Sequence, residues 1–143
     1  MKFDEAEAQH RLRSHDHGVL CTVHPVRGVD AVPAVYAVDI DGYVGIPVDS
    51  VKPKASIRLQ RQRNLEADPR ATLLIEHWDA DDWSELWWVR AELWWEQGER
   101  DRAENLGDLL AERYRQYKDR PFDQVLVLRT VGLTGWAAAT SGS

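Results

Sequence analysis

The sequence predicts a mainly β protein, a six-stranded antiparallel barrel with flanking helices, of the α+β kind. Three observations predict it. Short β-branched and aromatic runs recur along the 143 residues, and tight-turn signals separate several of them. Helical periodicity appears in three places and does not alternate regularly with the strands, which argues against a doubly wound parallel sheet. No G-x-G-x-x-G stretch is present, so there is no dinucleotide-binding fingerprint.

The elements follow in chain order. Residues 3–15 predict a short helix, with Asp4 as its cap and acids in its first turn. Gly18 stops it, and GVLCTVH (18–24) reads as a strand. AVPAVYAVDI (31–40) and GYVGIPV (42–48) read as two strands joined at Asp41-Gly42, a tight-hairpin signal. Pro33 assigns the first of these an edge position or a bulge, because proline has no N–H for a ladder. Residues 55–67 predict a helix capped by Ser56 and ended by Asp68-Pro69. Its face carries Ile57, Arg61, Asn64 and Leu65.

ATLLIEHW (71–78) is a strand, DADDWSE an acidic turn, and LWWVRAELWWE (86–96) the clearest strand of all. One side of that last strand is wholly apolar: Trp87, Val89, Ala91, Leu93 and Trp95. The other holds Leu86, Trp88 and Trp94 beside Arg90 and Glu92, so both faces are expected to be largely covered. Within 98–121 an amphipathic helix follows the spacing of Leu106, Leu109, Leu110, Tyr114 and Tyr117. Strands at 124–131 and 132–139 close the fold, and 140–143 form a loose tail.

Length and composition are those of one soluble domain spanning 1–143, with residues 1–17 forming its N-terminal helical segment. No apolar run reaches the ~20 residues of a membrane span. The net charge of −6 argues against broad nucleic-acid binding. The single cysteine, Cys21, rules out an intrachain disulfide framework, and the expected compartment is the cytoplasm. Against this acidic background, Lys52, Lys54, Arg58, Arg61 and Arg63 gather within twelve residues, and no acid occurs from Val51 to Leu65. Phosphate on a ligand is a common reason for such a local field, and the alternative is a solvated helix face.

The order of motifs resembles a known family. V-P-A-V-Y-A-V-D is followed by a D-G hairpin, by P-V-D-S-V-K-P-K, by R-L-Q-R-Q-R-N-L-E-A-D-P-R and by A-T-L-L-I-E-H-W. This resembles the pyridoxamine-phosphate-oxidase-like split-barrel proteins of the FMN-binding type, and most closely their deazaflavin branch, which uses coenzyme F420. D-D-W-S-E-L-W-W-V-R-A, R-Y-R-Q-Y-K-D-R-P and V-L-R-T-V-G-L-T-G-W-A-A are similar to one actinobacterial subgroup of that branch. The resemblance covers roughly residues 18–138.

The resemblance implies a six-stranded split barrel and a homodimer with two cofactor sites at its interface. It places the cofactor phosphate at Lys52, Lys54 and Arg58, with Arg61 a turn further on and Ser56 adding a hydroxyl. The ring system is expected near Pro33, Val35 and Tyr36, with His77 and Trp78 reaching the site from one subunit or the other. Tyr36 is the candidate proton donor, with core packing as its alternative role. Trp78, Trp88 and Trp136 are candidates for an aromatic wall, although most tryptophans are expected in the core and at the dimer interface.

The implied activity is hydride transfer from reduced F420 to an activated double bond of a small organic substrate. The alternatives are an FMN-dependent split-barrel oxidoreductase and a non-enzymatic flavin or F420 carrier. Metal chemistry is not expected: His15-x-His17 has chelating spacing, but no cysteine or paired-carboxylate motif completes a site. Asp79, Asp81 and Asp82 lack the glycine and distal glutamate of a calcium loop and read as a solvated turn.

Overall fold

The computed structural model describes residues 1–49 and 60–139. Helix α1 (Glu5–Ser14) starts at Asp4, whose Oδ1 accepts the backbone N–H of Glu7 at 2.8 Å. The predicted cap therefore forms and satisfies one of the free donors of the first turn. Strands β1 (Gly18–His24) and β2 (Gly28–Ala34) make an antiparallel hairpin. Strand β3 (Ala37–Val38) pairs with β4 (Val44–Asp49) across the Asp41-Gly42 turn, where Gly42 has φ +86°. Helix α2 (Gln60–Ala67) is followed by β5 (Arg70–His77) and β6 (Trp87–Trp95). Helix α3 (Arg100–Arg113) and β7 (Phe122–Ala137) complete the order. Ser56 and the first half of the predicted second helix lie outside the described residues.

The described strands form one antiparallel sheet in the order β2-β1-β5-β6-β7-β4-β3. Its two end strands are consecutive in the chain, separated only by Val35 and Tyr36. The sheet must therefore curl until its ends meet, and the barrel is closed by a covalent corner rather than by a ladder of hydrogen bonds. The single strand expected over 31–40 is thus two half-strands, one on each edge. The described sheet has seven strands where a six-stranded barrel was expected. Pro33 sits on an edge, because β2 pairs only with β1.

Two further expectations need correction. The final pair of strands is one 16-residue strand that serves β4 with its first half and β6 with its second. Its register shifts where Glu92 faces Gly132 and Leu93 faces Thr130, so Val131 is the extra residue of a bulge that bends the strand. Helix α3 stops at Arg113, and Tyr114 begins a separate 3-10 turn that spans Arg115–Tyr117. The acidic turn after β5 likewise holds a short 3-10 turn, Trp83–Glu85.

The barrel interior is lined by Leu20, Ile46, Leu73, Ile75, Val89, Ala91, Leu93, Leu126 and Leu128. Alternation on each strand sends these side chains inward. Helix α1 adds Ala8 and Leu12 to this core, and α2 adds Leu65. Helix α3 packs on the outside instead. A Cβ on Gly45 of β4 would lie 2.7 Å from the Cβ of Leu106, so glycine there lets α3 approach the sheet closely. Strand β4 is consequently buried on both faces from Val44 to Val48.

Candidate functional site

Strand β6 confirms only half of its expected burial. Val89, Ala91 and Leu93 are buried, but the opposite face is open in this chain. Trp94 is 41% exposed and Trp136 37%, with Val131 and Val29 at 52% and 66%. Trp88 and Trp136 are cross-strand partners on this outer face, and Arg90 lies over the Trp88 ring at 5.3 Å. A groove of about 500 Å³ runs along it, lined by Cys21, Val29, Arg70, Glu92, Trp94 and Val131, among others. Cys21 is half-buried, and burial pushes its thiol pKa up.

The expected phosphate cradle is partly in view. Lys52, Lys54, Ser56 and Arg58 lie outside the described residues, on the connection from β4 to α2. Arg61 is in the first turn of α2, and its guanidinium donates to the Pro47 carbonyl at 3.1 Å. Two turns of α2 are anchored by Asn64, which is buried. Its amide donates to Thr22 Oγ1 and to Asp30 Oδ2, each at 2.9 Å, and its Oδ1 accepts from Gln60. Asn64 and Leu65 do share the buried face that helical spacing assigned them. Arg27 and then Asn64 hold the Asp30 carboxyl below the usual carboxylate range.

The residues expected around the ring do not converge in a single chain. Pro33 is exposed on β2 and pairs with Val19. Val35 is half-buried at the corner. Tyr36 is wholly buried, and its hydroxyl donates to the Leu12 carbonyl at 2.5 Å. Burial pushes that phenol's pKa up strongly. The alternative role is the one this geometry supports: Tyr36 packs the core and ties α1 to the barrel corner. Trp78 stands 54% exposed beside Trp83, their rings 6.3 Å apart.

His77 belongs to a second cavity, of about 430 Å³, at the end of the barrel beside α1. Arg11, His15, His77, Ser84, Glu85 and Trp87 line it with their neighbours. The His77 ring stacks on Trp87, its Nε2 lies 3.5 Å from Glu85 Oε2, and Arg11 sits over the same indole at 4.7 Å. His15 meets Trp87 edge-on, and burial lowers its pKa. Sequence reasoning missed this gathering because its members come from α1, the end of β5 and the turn after it. It also missed the role of Tyr114, whose hydroxyl lies 2.5 Å from the Asp16 carbonyl and 3.0 Å from that of Tyr36 and shares its one proton between them. That hydroxyl supplies the corner with a hydrogen bond that no ladder gives it.

Comparison with solved structures decides the architecture. The chain superposes on an FAD-binding protein from Mesorhizobium loti with TM-score 0.69 at 12% identity, covering 94% of this chain and 93% of that one. A conserved hypothetical protein from Mycobacterium tuberculosis gives 0.73 at 24% identity, covering 95% and 86%. A putative pyridoxamine 5'-phosphate oxidase from Corynebacterium glutamicum gives 0.57 at 14%, covering 94% and 90%. The chain has the split-barrel fold. Heme-binding proteins share this split barrel as well. At these identities the likeness is one of fold. No family model and no curated protein matches the chain. Among the described residues, no helix is long and apolar enough to cross a membrane.

Proposed function

We propose that this split barrel is a cytoplasmic oxidoreductase that works as a homodimer. It takes reduced coenzyme F420 as hydride donor to an activated double bond of a small organic substrate. The observation that supports this reading best is positional. The acid-free basic run from Val51 to Leu65 begins where β4 leaves the barrel and ends on a helix pinned by Asn64. A phosphate needs both charge and a rigid mount, because affinity depends on how little freedom the binding groups lose. Lys52, Lys54, Ser56 and Arg58 are the proposed phosphate ligands. Arg61, held against Pro47, adds charge for the carboxylates of the longer F420 tail.

The outer face offers what a flat ring requires, an apolar wall with few polar groups. Cys21, Val29, Trp94 and Val131 supply it along the groove. When bound, the reduced deazaflavin would supply the hydride. The chain's own part is to hold donor and acceptor in register and exclude water. A second copy laid on the outer face would cover the exposed tryptophans and let Pro33, Val35, His77 and Trp78 of different subunits reach one site. Arg90 and Glu92 lie two positions apart on that face, so a twofold axis passing near Ala91 would set each beside its opposite charge in the second copy.

The test is titration of the chain with F420, FMN and heme, followed by tryptophan fluorescence, and then turnover with a panel of acceptors. F420 is expected to bind most tightly. Lys54→Ala and Arg58→Ala each remove a charge-assisted hydrogen bond of about 1.5–3 kcal/mol, so each raises Kd at least about tenfold at an unchanged melting temperature. Parallel loss of binding and of thermal stability would make both residues structural. Tighter binding of FMN than of F420 favours the FMN-dependent reading, which the FAD-binding and oxidase-named neighbours support. Tight binding without acceptor-dependent oxidation favours a carrier.

A further inference from the structure

We infer that His15, Asp16 and His17, on the segment between α1 and β1, form a binding site for a late first-row divalent metal ion such as zinc. One ligand atom from each of the three residues lies within 4.8 Å of the others. His15 has extended backbone, φ −82° and ψ 151°. Extended backbone sends side chains i and i+2 to the same side, and the two imidazole rings accordingly stack with centroids 5.7 Å apart. Asp16 does not point away: its Oδ1 is 2.7 Å from Nδ1 of His17. Two imidazoles and a carboxylate are the donor set that zinc, nickel and copper favour.

Tetrahedral ligands at about 2.0–2.2 Å from zinc stand roughly 3.4 Å apart, so a small rotation about the side-chain bonds of His17 and Asp16 completes the geometry. Both side chains are largely exposed and free to make it. The backbone of His15 and Asp16 is fixed. The His15 N–H donates to Arg11 O at 3.0 Å, Arg113 donates to His15 O, and the Tyr114 hydroxyl donates to Asp16 O. Helices α1 and α3 thus clamp a three-residue segment that would otherwise lose its freedom on binding, and a clamped chelate binds more tightly than a loose one.

The test uses the full chain without an affinity tag, titrated calorimetrically with zinc chloride near neutral pH. One equivalent per chain is expected, together with a rise in melting temperature. His17→Ala and Asp16→Asn each weaken zinc binding at least about tenfold, in the range that loss of a ligand or its orienting partner produces. His24→Ala, at the far end of β1, leaves it unchanged. His15→Ala is less decisive, because that ring packs on Trp87. Absence of a calorimetric zinc signal in the parent chain overturns the proposal. So does zinc binding that survives both His17→Ala and Asp16→Asn, or that His24→Ala abolishes.

Discussion

Strands β4 and β6 carry the same kind of sequence and meet different fates. Each has large or apolar residues on both faces. The outer face of β4 is sealed by α3, with Leu106 against Gly45 and with Leu110 also buried. The outer face of β6 holds Trp88 and Trp94, and among the described residues nothing covers them fully. A strand apolar on both faces reports that something covers it, but not what. A helix of the same chain and a second copy of the chain satisfy the pattern equally. The difference between the two strands therefore separates what the fold needs from what the assembly supplies.

The largest effect should come from the open face. Trp94→Asp places a charge where we propose that a second copy packs. Loss of a central tryptophan costs about 2 kcal/mol or more. A twofold contact counts it twice, about 4 kcal/mol, which weakens dimerisation about a thousandfold. Light scattering after gel filtration should then show one chain where the parent shows two, with the circular dichroism of the fold retained. A parent chain that is monomeric at all concentrations removes the second copy from the account.

Next comes the sealed face. Gly45→Val forces a branched side chain into the 2.7 Å gap to Leu106 and must displace α3 or β4. Overpacking of this kind costs about 1–3 kcal/mol. Chemical denaturation should show that loss while the association state stays that of the parent. A variant that dissociates without losing stability would mean that α3, rather than the open face, governs assembly.

The barrel corner is expected to give a smaller effect, and it marks how far the sequence could be read. The hairpin at Asp41-Gly42, strand β1, the capped start of α1 and the C-terminal end of α2 follow rules that act over a few residues, and all were legible. The bend at Val35-Tyr36 was not, because a strand that turns a corner keeps its alternation of side chains. What makes the corner is Tyr114, 78 residues away, whose hydroxyl bridges Asp16 and Tyr36. The candidate site divides the same way. The basic run was plain in the sequence, whereas the Asn64 anchor and the cavity beside α1 depend on contacts between distant elements. Tyr114→Phe keeps the ring and removes the bridge, so it should cost about 1 kcal/mol in denaturant titration. No measurable change would mean that packing alone holds the corner.

The smallest effect should come from a pair at the rim of the open face. Asp68 accepts from the Nε and Nη2 of Arg70, the Nε–H shared between both carboxylate oxygens, and from its backbone N–H, and Arg70 lines the outer groove. Those hydrogen bonds lower the Asp68 pKa from 3.8 to about 2. A carboxyl whose folded pKa is depressed stabilises the fold above its unfolded value, and that contribution disappears as pH falls from 3.8 through about 2. Both side chains reach solvent, so screening keeps the effect small. The difference in melting temperature between the parent and Asp68→Asn should be greatest above that window and vanish below it. Trp94 is the cross-strand partner of Arg70, so Trp94→Asp sets a second carboxylate beside that guanidinium, and the Asp68→Asn difference is expected to shrink in the Trp94→Asp background. An unchanged difference there would mean that Asp68 alone holds Arg70, whatever faces it across the strands.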